Sequence, residues 1–344
     1  MHKILTFQQS KGFHQCVECL QKEEKLKSIV KNLSHIRSVV VAESDLETLS
    51  KLLGKSKYQV SNEVKVRLHF TDEIPWGVAE VGAEKFWTKT RGHGVKVAVL
   101  DTGILSTHPD LRGRVKQRVN FVSGSGSAMD GHGTHIAGTI AAIVNNRGIV
   151  GIAPEVDLYD VRAFGPDGTA NISDIIQGIN WAIENKMDVI NMSFGSEVDN
   201  FALRNAIRQA QKAGITMVAS AGNNGKALEY PAAYKGVVSV GAIDQSGKLA
   251  DFSSRGKGLS TVAPGVKIKS TWLNNGYLEL DGTSMAAAHI SGVHALRLAE
   301  KRAAMQAKKS AKTKNSSEAN KSSETTKPAK ATKSAKTNKS TKAN

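Results

Sequence analysis

Short apolar runs separated by helical patterns dominate the middle of the chain. Residues 95–100, 156–161, 189–193, 215–220 and 237–240 each read as a strand buried on both faces. Between two of them Ile172, Ile175, Ile176, Ile179 and Ile183 recur at the spacing of one helix face, with Asn171 placed to cap it. Near-continuous apolar strands alternating with helices predict an α/β unit, a parallel central sheet with helices on both faces. In such sheets functional residues collect where the strands end.

The pattern before this unit is different. Ile4, Leu5 and Phe7 begin a strand, 13–26 reads as a helix, and 36–42 is a β-branched strand around Val39, Val40 and Val41. Ser44 with Glu47 three residues on makes a capping box for a helix over 45–53 that ends at Gly54. Val60, Val64, Val66 and Leu68 continue as an extended segment. The order strand, helix, strand, helix, strand predicts a small α+β, ferredoxin-like module. Beyond Lys301 the chain is built almost entirely from Lys, Ala, Ser, Thr and Asn, without an aromatic residue. That composition cannot offset the entropy of ordering, so a disordered tail is expected. The predicted organisation is 1–70, 71–300 and 301–344.

Composition narrows the function classes. The chain of 344 residues carries 47 Lys and Arg against 31 Asp and Glu, a formal charge of +16. The tail alone holds 13 Lys and Arg against Glu318 and Glu324, leaving only +5 on residues 1–300. The folded part therefore lacks the wide basic footprint of a nucleic-acid enzyme. The tail could tether the protein to a polyanion or merely solubilise it; charge does not choose. No apolar run reaches the roughly 18 residues of a membrane span. Near the start, Lys3 is followed by only four residues before Gln8 and Gln9, short of the roughly 7 to 15 apolar residues of a secretory signal. Cytoplasmic residence is expected, with an extracellular location the alternative if the N-terminus is truncated or export takes another route. Cys16 and Cys19 form a C-x-x-C pair one helical turn apart, with no second pair to complete a zinc site; both read as packing residues.

Four stretches carry chemistry. Asp101 ends the first strand in VAVLDTGI, where a carboxylate costs desolvation energy unless partnered. His132 lies in DGHGTH, flanked by glycines that let other segments approach its ring; the three-residue spacing to His135, with no Glu, argues against a metalloprotease pair. Asn223 follows Ser220-Ala221-Gly222 at another strand end, where its amide could donate to a developing oxyanion. Ser284, in GTSMAAAH, stands at a helix start whose backbone N–H groups are unpaired. Singly, these residues could be a turn carboxylate, a structural histidine, an Asn-Gly turn and an N-cap.

Together, in the order Asp, His, Asn, Ser with these flanks, they resemble the subtilisin-like serine proteases over about residues 72–300. The resemblance implies a serine endopeptidase acting through Asp101, His132 and Ser284, with Asn223 at the oxyanion. It implies that substrate peptides pair as an added strand with Ser193-Phe194-Gly195 and with Gly168-Thr169-Ala170. Gly222 would wall the primary specificity pocket, with apolar or aromatic side chains preferred. The family's proline before the motif histidine is replaced by Ala288, which removes no reacting group. The family commonly binds Ca²⁺; the matching ligands are Asp72, Asp110 and Asn145 with carbonyls of Ile143, Arg147 and Ile149. The module over 1–70 then resembles a propeptide, a chaperone and intramolecular inhibitor. Its stretch 64–70 would thread the cleft, with self-cleavage between about 69 and 72. A monomer is expected, with protein substrates and its own propeptide as partners. A silent peptide-binding member and a metallohydrolase on Asp101, His132 and His135 are the competing readings.

Overall fold

The computed structural model describes residues 2–22, 29–64, 71–122 and 130–324. The chain divides into two compact units, Met1–His69 and Phe70–Asn344.

The first unit runs β1 (His2–Phe7), α1 (Ser10–Lys22), β2 (Ile29–Leu33), β3 (Ser38–Ala42), α2 (Leu46–Leu53) and β4 (Tyr58–Asn62). Its sheet is antiparallel in the order β2–β3–β1–β4. Leu5, Phe7, Phe13, Leu20, Val39, Val41, Leu49 and Leu53 form its core, joined by Cys16. Burial pushes the Cys16 thiol up to about 12, so it stays protonated and packs as a small apolar group. Besides α1 starting at Ser10 rather than 13 and β3 at Ser38 rather than 36, two details differ from the sequence expectation. The strand β2 was hidden by Lys31 and Asn32 inside it, and the capping box at Ser44 does not form. Asp45 precedes α2 without a side-chain cap, and the Ser44 hydroxyl donates to Asp45 instead. Gly54 does end α2, with a φ of 55° that a side chain would resist. Residues 65–70, where the expected cleft-threading stretch falls, lie outside the described residues.

The second unit begins with two short helices, α3 (Trp76–Glu80) and α4 (Glu84–Trp87), and the strand β5 (Lys96–Asp101). It continues through β6 (Val115–Asn120), α5 (His132–Ala141), β7 (Asp157–Arg162), α6 (Ile172–Glu184), β8 (Val189–Met192), α7 (Phe201–Lys212), β9 (Thr216–Ser220), β10 (Val238–Ile243) and β11 (Thr261–Pro264). The hairpin β12 (Ile268–Thr271) and β13 (Tyr277–Leu280) precedes the long helix α8 (Thr283–Glu324). Seven strands make one parallel sheet in the order β11–β10–β9–β8–β5–β7–β6.

Alternation along the strands explains the layers. Val97 and Val99 of β5, with Val189, Val218 and Val240, face α5 and α8 in one core. Ala98 and Leu100, with Ile190, Met192, Met217 and Ala219, face α6 and α7 in the other. Two parallel strands escape the apolar-run pattern, β6 and β11, which lie at the sheet's edges: β6 exposes Lys116, Gln117 and Arg118, and β11 is only four residues long with Val262 exposed. The helix α8 runs past Lys301, where composition predicts loss of structure, through Glu324. Its Ala- and Lys-rich sequence meets no Pro or Gly there, so helix propensity sustains it. Residues 325–344 lie outside the described residues. Among the described residues no helix is long and apolar enough to cross a membrane.

The chain builds β6 and β7 on one side of β5 and β8 to β11 on the other, so the direction of winding reverses at β5. A crevice at the carboxyl ends of the strands belongs at such a reversal.

Candidate active site

Asp101 is the last residue of β5 and is 3% exposed. His132 is the first residue of α5, preceded by Gly131 with a φ of 94°. A Cβ on Gly131 would press on the Trp272 ring, so this turn needs glycine for both reasons. The His132 Nδ1 lies 2.8 and 3.0 Å from the two Asp101 carboxylate oxygens. Neighbours hold both partners. The Thr102 N–H donates to Asp101 Oδ1 at 2.8 Å, while Asp130 Oδ1 accepts from the His132 N–H at 2.9 Å and from the Thr102 hydroxyl at 2.7 Å. Burial alone would depress the imidazole pKa, but the charge and hydrogen bond of Asp101, helped by Asp130, raise it above the ordinary value. With Nδ1 turned to Asp101, Nε2 is the nitrogen left for proton transfer.

Ser284 is the second residue of α8 and is 8% exposed. Its hydroxyl donates to the Ser193 carbonyl at 3.1 Å, and the Ser193 hydroxyl returns a bond to the Ser284 carbonyl at 3.1 Å. Behind this pair a buried chain continues: Asn191 Nδ2 donates to Ser193 Oγ at 2.8 Å, and Ser291 Oγ donates to Asn191 Oδ1 at 2.9 Å. The start of α8 is thereby locked to the end of β8. Among the described residues the Ser284 hydroxyl makes this bond to Ser193 and none to His132.

Asn223 follows β9. Its Oδ1 accepts from both the N–H and the hydroxyl of Thr283, each at 2.9 Å. With the carbonyl end anchored there, the amide Nδ2 is the end left to donate. As the second residue of a helix, Ser284 offers a backbone N–H with no partner inside that helix.

Asp101, Thr102, Asp130, His132, Phe164, Gly168, Ser193, Phe194 and Gly195 line one cleft of about 270 Å³. Both sequence-predicted substrate edges therefore border the same opening. Gly222 is not among the residues that line this cleft; its N–H donates to Thr283 Oγ1 and its carbonyl accepts from the Ser254 N–H. A wider hollow of about 520 Å³ beside α7, with Arg204, Arg208 and Lys235 in its wall, holds neither serine nor histidine. Chemistry rather than size selects the cleft.

His135 is set apart from this chemistry. Its Nε2 faces the carbonyls of Ile268 and Leu278 at 2.9 and 3.0 Å, and burial pushes its pKa down to about 4. It is a neutral ring tying α5 to the β12–β13 hairpin, which removes the pair needed for a His132–His135 metal site.

Asp72, Asp110 and Asn145 meet at the loop 143–149. Asp72 accepts from the N–H groups of Asn145, Asn146 and Arg147 at 3.0, 3.1 and 3.3 Å. The buried Asp110 accepts from Asn145 Nδ2, the Ile149 N–H and the Tyr277 hydroxyl at 2.9, 3.0 and 2.7 Å. The Ile143 N–H donates to the Asp110 carbonyl at 2.8 Å. Among the described residues no group of three or more His, Cys, Asp or Glu side chains is gathered for a metal.

Sequence reasoning passed over the residues that set these groups in place: Thr102, Asp130, Asn191, Thr283 and Ser291. Asp130 and Thr283 stood inside recognisable motifs. Nothing in the sequence joins Asn191 to Ser291, since only the packing of α8 against β8 brings them together.

A doubly covered parallel sheet with an imidazole–carboxylate pair on one cleft, and a helix-start serine bonded to Ser193 of that cleft's wall, defines a class, the α/β serine hydrolases. Comparison with known proteins sharpens it. The profile of the subtilase family, peptidase S8, matches residues 92–338. The chain is 42% identical over 262 residues to the thermostable alkaline protease of Halalkalibacterium halodurans, covering 75% of this chain and 72% of that protein. It is 47% identical over 227 residues to subtilisin BL of Lederbergia lenta, covering 65% and 83%. Against subtilisin DY of Bacillus licheniformis the identity is 43% over 235 residues, covering 66% and 85%. The chain belongs to the subtilase family and is a serine endopeptidase.

Proposed function

We propose that Ser284, His132 and Asp101 are the catalytic triad, that Asn223 and the Ser284 N–H bind the oxyanion, and that the protein is made as a self-processing zymogen. The observation that carries this reading is the Asp101–His132 pair at 2.8 Å on a cleft that also holds Ser193, to which Ser284 is doubly bonded. In the reaction, the Ser284 hydroxyl turns from the Ser193 carbonyl to His132 Nε2. As Oγ attacks the peptide carbonyl, its proton passes to Nε2, and Asp101 stabilises the imidazolium. The carbonyl oxygen takes the negative charge and accepts from Asn223 Nδ2 and the Ser284 N–H. The imidazolium gives its proton to the leaving amine, and water hydrolyses the acyl-serine by the same route in reverse. Substrate main chain pairs with Ser193–Gly195 and with the edge at Gly168, which gives affinity with little demand on sequence.

The zymogen reading is supported by a separate compact unit, Met1–His69, with its own core. Calcium is supported by donor chemistry: the Asn145 amide oxygen and the carbonyls of Ile143, Arg147 and Ile149 are hard oxygens on the loop 143–149, and the carboxylates of Asp110 and Asp72 reach that loop from elsewhere in the chain. Bound there, the ion would brace the loop and take no part in the chemistry.

The deciding experiment purifies wild type and Ser284→Ala in parallel. Wild type should shed about its first 70 residues and digest casein, while Ser284→Ala stays full length and inert. Equal maturation and digestion by both, free of contaminating protease, would remove Ser284 from the mechanism.

A further inference from the structure

The wall of the proposed specificity pocket contains a group that the family resemblance did not foretell. Glu229 follows the loop after Asn223, and its N–H donates to the Ala221 carbonyl at 2.9 Å. The next residue, Tyr230, pairs with Ser196 through bonds of 2.9 and 2.8 Å. This pairing lays Glu229 across the two chain segments that leave β8 and β9. Its side chain fills the space over two glycines at once. A Cβ on Gly195 would collide with Glu229 Oε2, and a Cβ on Gly222 would stand 2.6 Å from its Cδ and 2.7 Å from its Oε1. Both are residues of the expected substrate-binding wall.

The carboxylate is half-buried and electrostatically one-sided. Asn224 Nδ2 donates to Glu229 Oε1 at 3.2 Å and to Glu197 Oε1 at 2.9 Å, so one amide holds two acids together. Asn224 is itself fixed by Ser254, whose hydroxyl donates to its Oδ1 at 2.9 Å. Among the described residues no Lys or Arg forms an ion pair with Glu229 or Glu197. Burial, followed by the charge of Glu197, raises the Glu229 carboxyl above its usual range, with the backbone of Asn223 opposing the shift. A half-buried carboxylate beside a second acid is stabilised most by a cation brought in from outside.

We propose that Glu229 reads the charge of the substrate side chain on the acyl side of the cleaved bond, so that this endopeptidase cuts after lysine or arginine. The proposal rests on the triad reading above, because that chemistry makes the wall of Gly195 and Gly222 a substrate pocket. It replaces the expected apolar or aromatic preference. A long cationic chain suits the site: its apolar stem can extend into the partly buried wall while its head meets the carboxylate that covers the two glycines. Glu197 adds to the negative field without occupying the wall.

The test uses the self-processed protein, with active sites counted by a serine-directed phosphonofluoridate. Four peptide anilides are compared that differ only at the residue before the scissile bond: Lys, Arg, Phe and Glu. Wild type should show kcat/KM for Lys and Arg at least about tenfold above Phe, with Glu the poorest. Glu229→Gln should lower the Lys-to-Phe ratio by roughly 10- to 100-fold, the loss expected when one charge-assisted pair becomes neutral. Glu229→Lys should raise the Glu anilide relative to Lys. Because each ratio is taken within one protein, poor folding of a variant does not imitate the effect, and the wild-type ratio decides even alone. Preference for Phe over Lys in wild type, or an unchanged ratio in Glu229→Gln, overturns the proposal and leaves the triad standing. Failure of all four anilides together with no labelling of Ser284 sinks both.

Discussion

His132 sits between two opposing effects, and which one wins has a kinetic signature. Burial disfavours the charged imidazole, yet Asp101 and Asp130 together raise its pKa above 6.5. As the proposed base, His132 must be neutral to accept the Ser284 proton, so kcat/KM should fall as pH drops through a value above the ordinary one. Asp101→Asn removes both the charge and the correct tautomer. We expect its kcat to fall by about 10⁴-fold and the acid limb to move to lower pH, read from pH–rate profiles on one peptide anilide. Asn223→Ala should lower kcat about 100- to 1,000-fold with little change in KM, the size typical of losing one oxyanion donor in this family. An equal rise in KM instead would mark Asn223 as a ground-state contact. These groups were visible in the sequence because each stands in a distinctive flank. The carboxylate of Glu229 was not, because its meaning comes from touching Gly195 and Gly222 rather than from any neighbour in the chain.

At the scale of elements, the site depends on how deeply α8 presses into the sheet. Ala286, Ala287 and Ala288 are fully buried, and a Cβ on Gly292 would stand 2.5 Å from Ile152 Cβ. Gly292→Ala, made in Ser284→Ala to prevent self-digestion, should destabilise the fold by about 1–3 kcal/mol, measured by urea unfolding. An unchanged midpoint would mean that the helix can slide outward at no cost. The same elements show what patterning can reveal. β5, β8, β9 and β10 are covered on both faces, so they announce themselves as apolar runs, while β7 carries Asp157, Asp160 and Arg162 among its apolar residues. β6, with Lys116, Gln117 and Arg118, is an edge strand stabilised by pairing to β7 rather than by its own burial. The Ser44 box failed because a capping motif is a local preference of a fraction of a kcal/mol to about 2 kcal/mol, and the turn into α2 settled on Asp45 instead.

Across the whole second unit, the loop 143–149 joins parts of the chain that are distant in sequence. Asp72 holds its backbone, Asp110 reaches it from the segment after β5, and Tyr277 of β13 donates to the same Asp110 carboxylate. Glu73 adds a bridge to Ile149. A cation bound by this oxygen set would stabilise only the folded arrangement, because the ligands scatter on unfolding. With free Ca²⁺ at about 100 times its dissociation constant, the linkage is worth about 2.7 kcal/mol, or roughly 5–10 °C in Tm for a unit of this size. We therefore expect a chelator to lower the Tm of the Ser284→Ala protein by that amount and excess Ca²⁺ to restore it. In Asp110→Asn, the Tm with and without Ca²⁺ should nearly coincide, because the charged ligand has become a neutral amide. Activity on a short anilide at 25 °C should change little on chelation, since the loop touches none of the reacting groups. A Tm indifferent to chelator in the wild-type sequence would leave Asp72, Asp110 and Asn145 as a hydrogen-bonded clasp that needs no ion.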